Sequence, residues 1–126
     1  MFSCVEAGCH FCCLDTVMPL SLADIKRLAG LGYSVGDFVV FDGGERRLRN
    51  VDGRCFFLRD GLCCVYEGRP VGCRLYPLVM DYGGRIFVDP GCRHGDGFSV
   101  SGRGASWLRG FIKLLDRERR VKFVLP

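Results

Sequence analysis

The sequence predicts a small, loop-rich α+β domain held together by metal, with short β-hairpins between an N-terminal and a C-terminal helix. Three observations predict it. Nine of the 126 residues are cysteine, a share that reads as a cysteine scaffold. Eighteen are glycine, so turns are frequent. Helical spacing of apolar residues is strong near residues 22–29 and 105–120, while the chain between them alternates short apolar runs with turn signals. A hydrophobic share of 48% with 25% charge excludes a disordered chain, and the length suits one domain over residues 1–126.

The elements follow in order. Residues 1–20 carry four cysteines and no periodic pattern, and read as a loop folded around something. Ser21 caps a helix in which Asp24 occupies the first turn, Leu22, Ile25, Leu28 and Ala29 keep helical spacing, and Gly30 stops it. Ser34 caps a short turn toward Phe38. Residues 38–41 form a strand, Asp42-Gly43-Gly44 turns the chain, and residues 48–51 return. Residues 55–58 and 62–66 make a hairpin about Asp60-Gly61, and Arg69-Pro70 opens a short helix or turn containing Cys73. Residues 78–82 and 85–88 make another hairpin about Gly83-Gly84. Residues 93–104, rich in Gly and Ser, read as a flexible loop. The last helix covers 105–120, with Trp107, Leu108, Phe111, Ile112, Leu114 and Leu115 on its buried face and Arg109, Lys113, Arg117 and Arg120 on the opposite one.

The net charge of +4 is concentrated at one end. Residues 103–126 sum to +5 and the remainder to −1. No apolar run reaches the roughly 20 residues of a membrane helix, and Met1-Phe2-Ser3-Cys4 lacks the basic and apolar character of a signal peptide. The expected location is the cytoplasm. Thiols there stay reduced, so nine cysteines point to metal or redox chemistry instead of a disulfide framework, which an odd count also disfavours.

Four thiols fall within ten residues as Cys4-x4-Cys9-x2-Cys12-Cys13. Crowded thiolates repel one another, and a metal ion neutralises them and lowers their pKa. Cys55, Cys63, Cys64, Cys73 and Cys92 form a second group, in which Gly72 and Gly91 directly precede Cys73 and Cys92. Glycine lets backbone amides approach and donate to sulfur. Nine cysteines against two histidines favour an iron–sulfur cluster, with zinc as the alternative and thiol–disulfide exchange third.

The stretch from Cys55 to Pro77 contains Cys55-Phe56-Phe57-Leu58, Gly61-Leu62-Cys63-Cys64-Val65-Tyr66 and Arg69-Pro70-Val71-Gly72-Cys73-Arg74-Leu75-Tyr76-Pro77. With the upstream Cys9-His10-Phe11-Cys12-Cys13, it closely resembles the YkgJ-type cysteine-cluster family, the CxxCxxCC family described as zinc- or iron-chelating, over most of residues 1–92. That resemblance implies a metal site made by Cys4, Cys9, Cys12 and Cys13 together with Cys55, Cys63, Cys73 and Cys92. Cys64 falls at the family's variable position. The family spaces its first two cysteines by two residues, whereas four separate Cys4 from Cys9 here.

Arg69 and Arg74 flank Cys73 and are candidates to offset thiolate charge by donating to sulfur, against the alternative of surface pairing with Glu67 or Asp81. His10 and His94 read as exposed loop residues. On a strand from 62 to 66, Cys63 would face the metal and Cys64 the core. No hydrolase triad and no phosphate-binding glycine loop occur, and no reaction is assigned. The leading function is a metal-binding redox or enzyme-supporting module with a protein redox partner. The alternative is a non-catalytic, zinc-stapled interaction module with an acidic or nucleic-acid partner. Nucleic acid is disfavoured, since a basic face at a helix C-terminus also complements the helix dipole.

Overall fold

The first helix begins on a reciprocal pair of hydrogen bonds. Ser21 Oγ accepts from the Asp24 amide at 3.0 Å, and Asp24 Oδ2 accepts from the Ser21 amide at 3.1 Å. This capping box satisfies two amides that a helix start leaves open, and α1 runs from it over Leu22–Gly30. Gly30 lies inside the helix, and Leu31 provides the cap. Ile25 and Leu28 are buried as their spacing predicts. The structure, a computed structural model, describes residues 13–91, 100 and 102–119.

A single turn, α2 (Val35–Phe38), follows, and Ser34 sits at its N-cap without a side-chain hydrogen bond. Next come β1 (Val39–Asp42) and β2 (Glu45–Leu48), with Val39 opposite Leu48. The returning strand is therefore Glu45–Leu48 and not residues 48–51. The cause is a turn signal given no weight in the sequence reading, Asp52-Gly53. It folds β3 (Asn50–Val51) onto β4 (Arg54–Cys55), which removes Cys55 from the strand expected over 55–58. A third hairpin is β5 (Leu58–Arg59) with β6 (Leu62–Cys63). All three loops have two residues, and both carry positive φ: 59° and 84° at Gly43-Gly44, 54° and 78° at Asp52-Gly53, 51° and 76° at Asp60-Gly61. Such turns match the twist of their flanking strands, which explains the Gly-Gly and Asp-Gly pairs.

A 3-10 turn (Tyr66–Gly68) leads to α3 (Val71–Leu75), then β7 (Leu78–Met80) pairs with β8 (Ile86–Val88). The chain ends, among the described residues, with α4 (Gly102–Glu118). The segment before α1 adds a further strand-like edge. Leu20 N donates to Arg46 O, Leu48 N to Met18 O and Asp15 N to Gly53 O, while Thr16 and Asn50 exchange two hydrogen bonds.

The fold has two apolar cores. The first joins Leu20, Ile25, Leu28, Phe38, Val39, Leu48, Cys55, Phe57 and Val65. The second joins Leu75 with Leu108, Phe111 and Leu115, and Val71, Leu78, Met80, Ile86 and Ile112 pack on it. Helix α4 thus covers β7, β8 and α3, as its periodicity predicts. Two expected members of the buried face stay outside the core: Trp107 is 50% exposed, on the flank of the helix, and Leu114 is half-buried. At the far end of α4, Glu118 Oε1 accepts from the Leu22 amide at 2.8 Å, and the buried Arg46 donates to the Glu118 carbonyl at 3.1 Å. Among the described residues no helix is long and apolar enough to cross a membrane.

Phe111 is 6% exposed, and large aromatic-to-alanine changes in cores cost about 3–5 kcal/mol. Phe111→Ala is expected to lower stability by that order, while Trp107→Ala stays within about 0.5 kcal/mol of the parent. Urea titration of the two variants checks the assignment of the helix faces.

Candidate metal centre

Four of the candidate ligands lie among the described residues, three of them in different elements and Cys13 in the segment ahead of α1. Cys55 ends β4 and is buried in the first core. Cys63 ends β6, Cys73 lies in α3, and Cys13 precedes the Leu14–Arg54 bridge; all three pack against the same core while half-exposed. The antiparallel Leu14–Arg54 bridge sets Cys13 and Cys55 on either side of one register step. Two-residue turns carry Cys55 and Cys63 on short hairpins beside the first core, since each hairpin reverses direction within four residues.

Among the described residues, no group of three or more His, Cys, Asp or Glu side chains converges as a finished metal site. Cys4, Cys9, Cys12 and Cys92 lie outside the described residues, as do His10 and His94. The donor chemistry still fits the implied metals: sulfur from thiolates suits zinc and iron, and the four described thiols border one core.

The placement of Cys73 rests on two residues that the motif reading did not assign to the site. Asp24 is fully buried, and its Oδ1 accepts from the Val71 amide at 3.1 Å, the first amide of α3. The Arg27 guanidinium bridges Asp24 Oδ1 at 2.8 Å to the carbonyls of Gly68 at 3.2 Å and Arg69 at 3.1 Å. Together they dock the turn that carries Arg69, Pro70 and Cys73 onto α1. The signal was present in the sequence as Ser21-x-x-Asp24, a capping pattern. Its second role, at the start of another helix 47 residues away, has no local signature. Gly72 answers a packing need: a methyl group there would collide with Met18 Sδ, so glycine lets the 14–19 segment lie against α3.

Arg69 stacks on the Tyr66 ring, its guanidinium 3.9 Å from the centroid. Arg74 reaches the Glu67 carbonyl at 3.5 Å. Both are therefore engaged with the 3-10 turn ahead of α3.

Cys64 corrects an expectation. Strand β6 stops at Cys63, so alternation does not carry Cys64 to the core. The Cys64 amide donates to the Phe57 carbonyl at 2.8 Å, and its side chain is exposed, 3.6 Å from the Tyr33 hydroxyl. The hydrogen bond with Cys64 pushes the Tyr33 phenol above its ordinary value of 10.0, the charge interaction with the same thiol adds to this, and Arg59 opposes it. The Tyr33 ring also meets Phe57 edge-on at 5.0 Å, at the border of the first core.

Two measurements test this region. Removing the Asp24 carboxylate leaves the buried Ser21 amide and the half-buried Val71 amide without their acceptor, at about 1–3 kcal/mol for a fully buried one, and strands the Arg27 guanidinium as well. Asp24→Ala is expected to cost about 3 kcal/mol or more in thermal or urea unfolding, against a near-neutral Lys26→Ala control on the exposed side of α1. Separately, Cys64→Ala is expected to bring the Tyr33 titration down toward 10.0, because the neighbour that disfavours the phenolate is gone. Tyrosine-resolved NMR against pH reads it, and an unmoved Tyr33 midpoint rejects the contact.

Neither a curated protein nor a solved structure matches the chain. The sequence profile of one family matches residues 3–95, which spans every candidate cysteine and both arginines beside Cys73. The chain belongs to the CxxCxxCC family, described as "Putative zinc- or iron-chelating domain".

Proposed function

We propose that this protein holds iron, as an iron–sulfur cluster, through thiolates drawn from Cys4, Cys9, Cys12, Cys13, Cys55, Cys63, Cys73 and Cys92, and that it serves as a cytoplasmic redox or enzyme-supporting module. The observation that supports the reading is that Cys55 lies in the first core and that Cys13, Cys63 and Cys73, from separate parts of the chain, pack against that same core. Family membership supports chelation of zinc or iron. The choice of iron rests on the composition, nine thiols with two imidazoles. Arg69 and Arg74 are proposed to moderate the negative charge of the thiolate set from the neighbouring turn. When bound, a cluster supplies one-electron transfer at a potential that burial and hydrogen bonds to sulfur adjust.

The zinc-stapled alternative has its own support. The three hairpins at the centre of the chain pair only two to four residues each, so a metal that ties their ends supplies folding free energy that the short ladders lack.

Purification without oxygen, followed by metal and acid-labile sulfide analysis, separates the two. Iron with sulfide and visible absorbance is the expected result; colourless protein with stoichiometric zinc selects the staple. Cys63→Ala and Cys73→Ala are expected to lower the metal content per chain, whereas Cys64→Ala retains it. Protein that folds fully and carries neither metal defeats both readings.

A further inference from the structure

A concavity lies beside the second core, and no cysteine lines it among the described residues. The 14–19 segment, α3 with its cap Tyr76, β7, the Asp89–Gly91 turn and α4 line an open groove of about 460 Å³. That is within the range of small-molecule pockets, roughly 300–1,000 Å³. Leu78 and Met80 of β7 and Leu108, Phe111 and Ile112 of α4 form its apolar wall. Val17, which also lines the groove, is 71% exposed. The side chains that line it are mostly apolar, which is the composition of a ligand site.

Its charge has one sign. Among the described lining residues, the charged ones are Asp15 and Asp89, both acidic, in a chain whose net charge is +4. Asp89 is held in place: Oδ2 accepts from the Tyr76 hydroxyl at 2.7 Å and Oδ1 from the Gly91 amide at 2.9 Å. A carboxylate offers about four lone-pair sites, so each oxygen retains capacity for another donor. The carboxylate is thus oriented beforehand, in the lining of a mostly apolar groove.

From this juxtaposition we infer that the groove binds a small organic cation, an ammonium group carried on an apolar body. The ammonium donates to the Asp89 carboxylate, and the body lies along Leu78, Met80, Leu108, Phe111 and Ile112. An anionic ligand is disfavoured by both aspartates. A neutral one gains the apolar contacts but leaves the carboxylate without a counter-charge. The inference draws on other described residues than the metal reading: none of Cys13, Cys55, Cys63 and Cys73, the candidate cysteines among the described residues, lines the groove.

Three ligands of equal chain length test it on the full-length protein: hexylammonium, hexan-1-ol and hexanoate. Binding is read from the NMR shifts of the Met18 and Met80 methyl groups, which line the groove. Hexylammonium is expected to bind at least tenfold more tightly than hexan-1-ol, with hexanoate weakest. Asp89→Asn is expected to erase the difference between the ammonium and the alcohol. Val17→Lys places a positive charge at an exposed lining position and is expected to weaken hexylammonium at least threefold while sparing hexan-1-ol. If Asp89→Asn fails to fold, Val17→Lys decides. Equal affinity for all three ligands, methyl signals that none of them moves, or a preference unchanged in the folded variants overturns the inference.

Discussion

One buried carboxylate organises the N-terminal two-thirds of this fold. Asp24 closes the first turn of α1, receives the first amide of α3 and pairs with Arg27, whose guanidinium in turn gathers two carbonyls of the incoming turn. A fully buried acid is tolerated only when its oxygens are occupied by donors, and here three different groups supply them. Because those donors lie on two helices distant in sequence, the carboxylate works as a joint. The orientation of α3, and with it Cys73 and Gly72, follows from it. So does the fit of Met18 over Gly72, which brings the 14–19 segment to the same place.

The second core depends on a different kind of contact. Helix α4 presents Leu108, Phe111 and Leu115 inward and anchors its far end through Glu118 to α1 and β2. Between the two cores the 14–19 segment acts as a shared wall: its one side follows β2, β3 and β4, and its other side faces the groove. A domain with two small cores instead of one continuous core leaves such a seam, and the seam is where the open volume lies.

Much of this was legible in the sequence because its signals are local. The α+β class, α1 from Ser21 onward, the Asp60-Gly61 hairpin, the short helix around Cys73, the β7–β8 hairpin and the inward face of α4 all follow from period, cap or turn chemistry. Three misreadings have local causes as well. Asp52-Gly53 is a turn of the same kind as Asp60-Gly61, and passing over it merged two hairpins. Trp107 satisfies helical spacing but lies at the edge of the apolar stripe, where a large ring stays half in solvent. Alternation predicts an inward Cys64 only if the strand continues past Cys63, and it stops there. The joint at Asp24 and the groove were not legible, since both arise where segments far apart in sequence meet. For the candidate metal centre, the motif indicates which residues to watch; hairpin turns carry Cys55 and Cys63, and the Asp24 joint seats the helix that carries Cys73.

The bond from Glu118 to the Leu22 amide joins residues 96 positions apart. Closure entropy rises only with the logarithm of loop length, so a circuit of this size costs little more than one half as long. Contacts across such separations nevertheless form slowly, because the chain must first find its local structure. The hairpins and α1 are all short-range and can form early, which leaves the seating of α4 as the step that completes the domain. A chain still emerging from the ribosome would therefore hold its hairpins and its cysteines before it holds its second core. In that interval Leu75, Leu78 and Ile86 are without the helix that covers them, and the order of synthesis sets the order of burial.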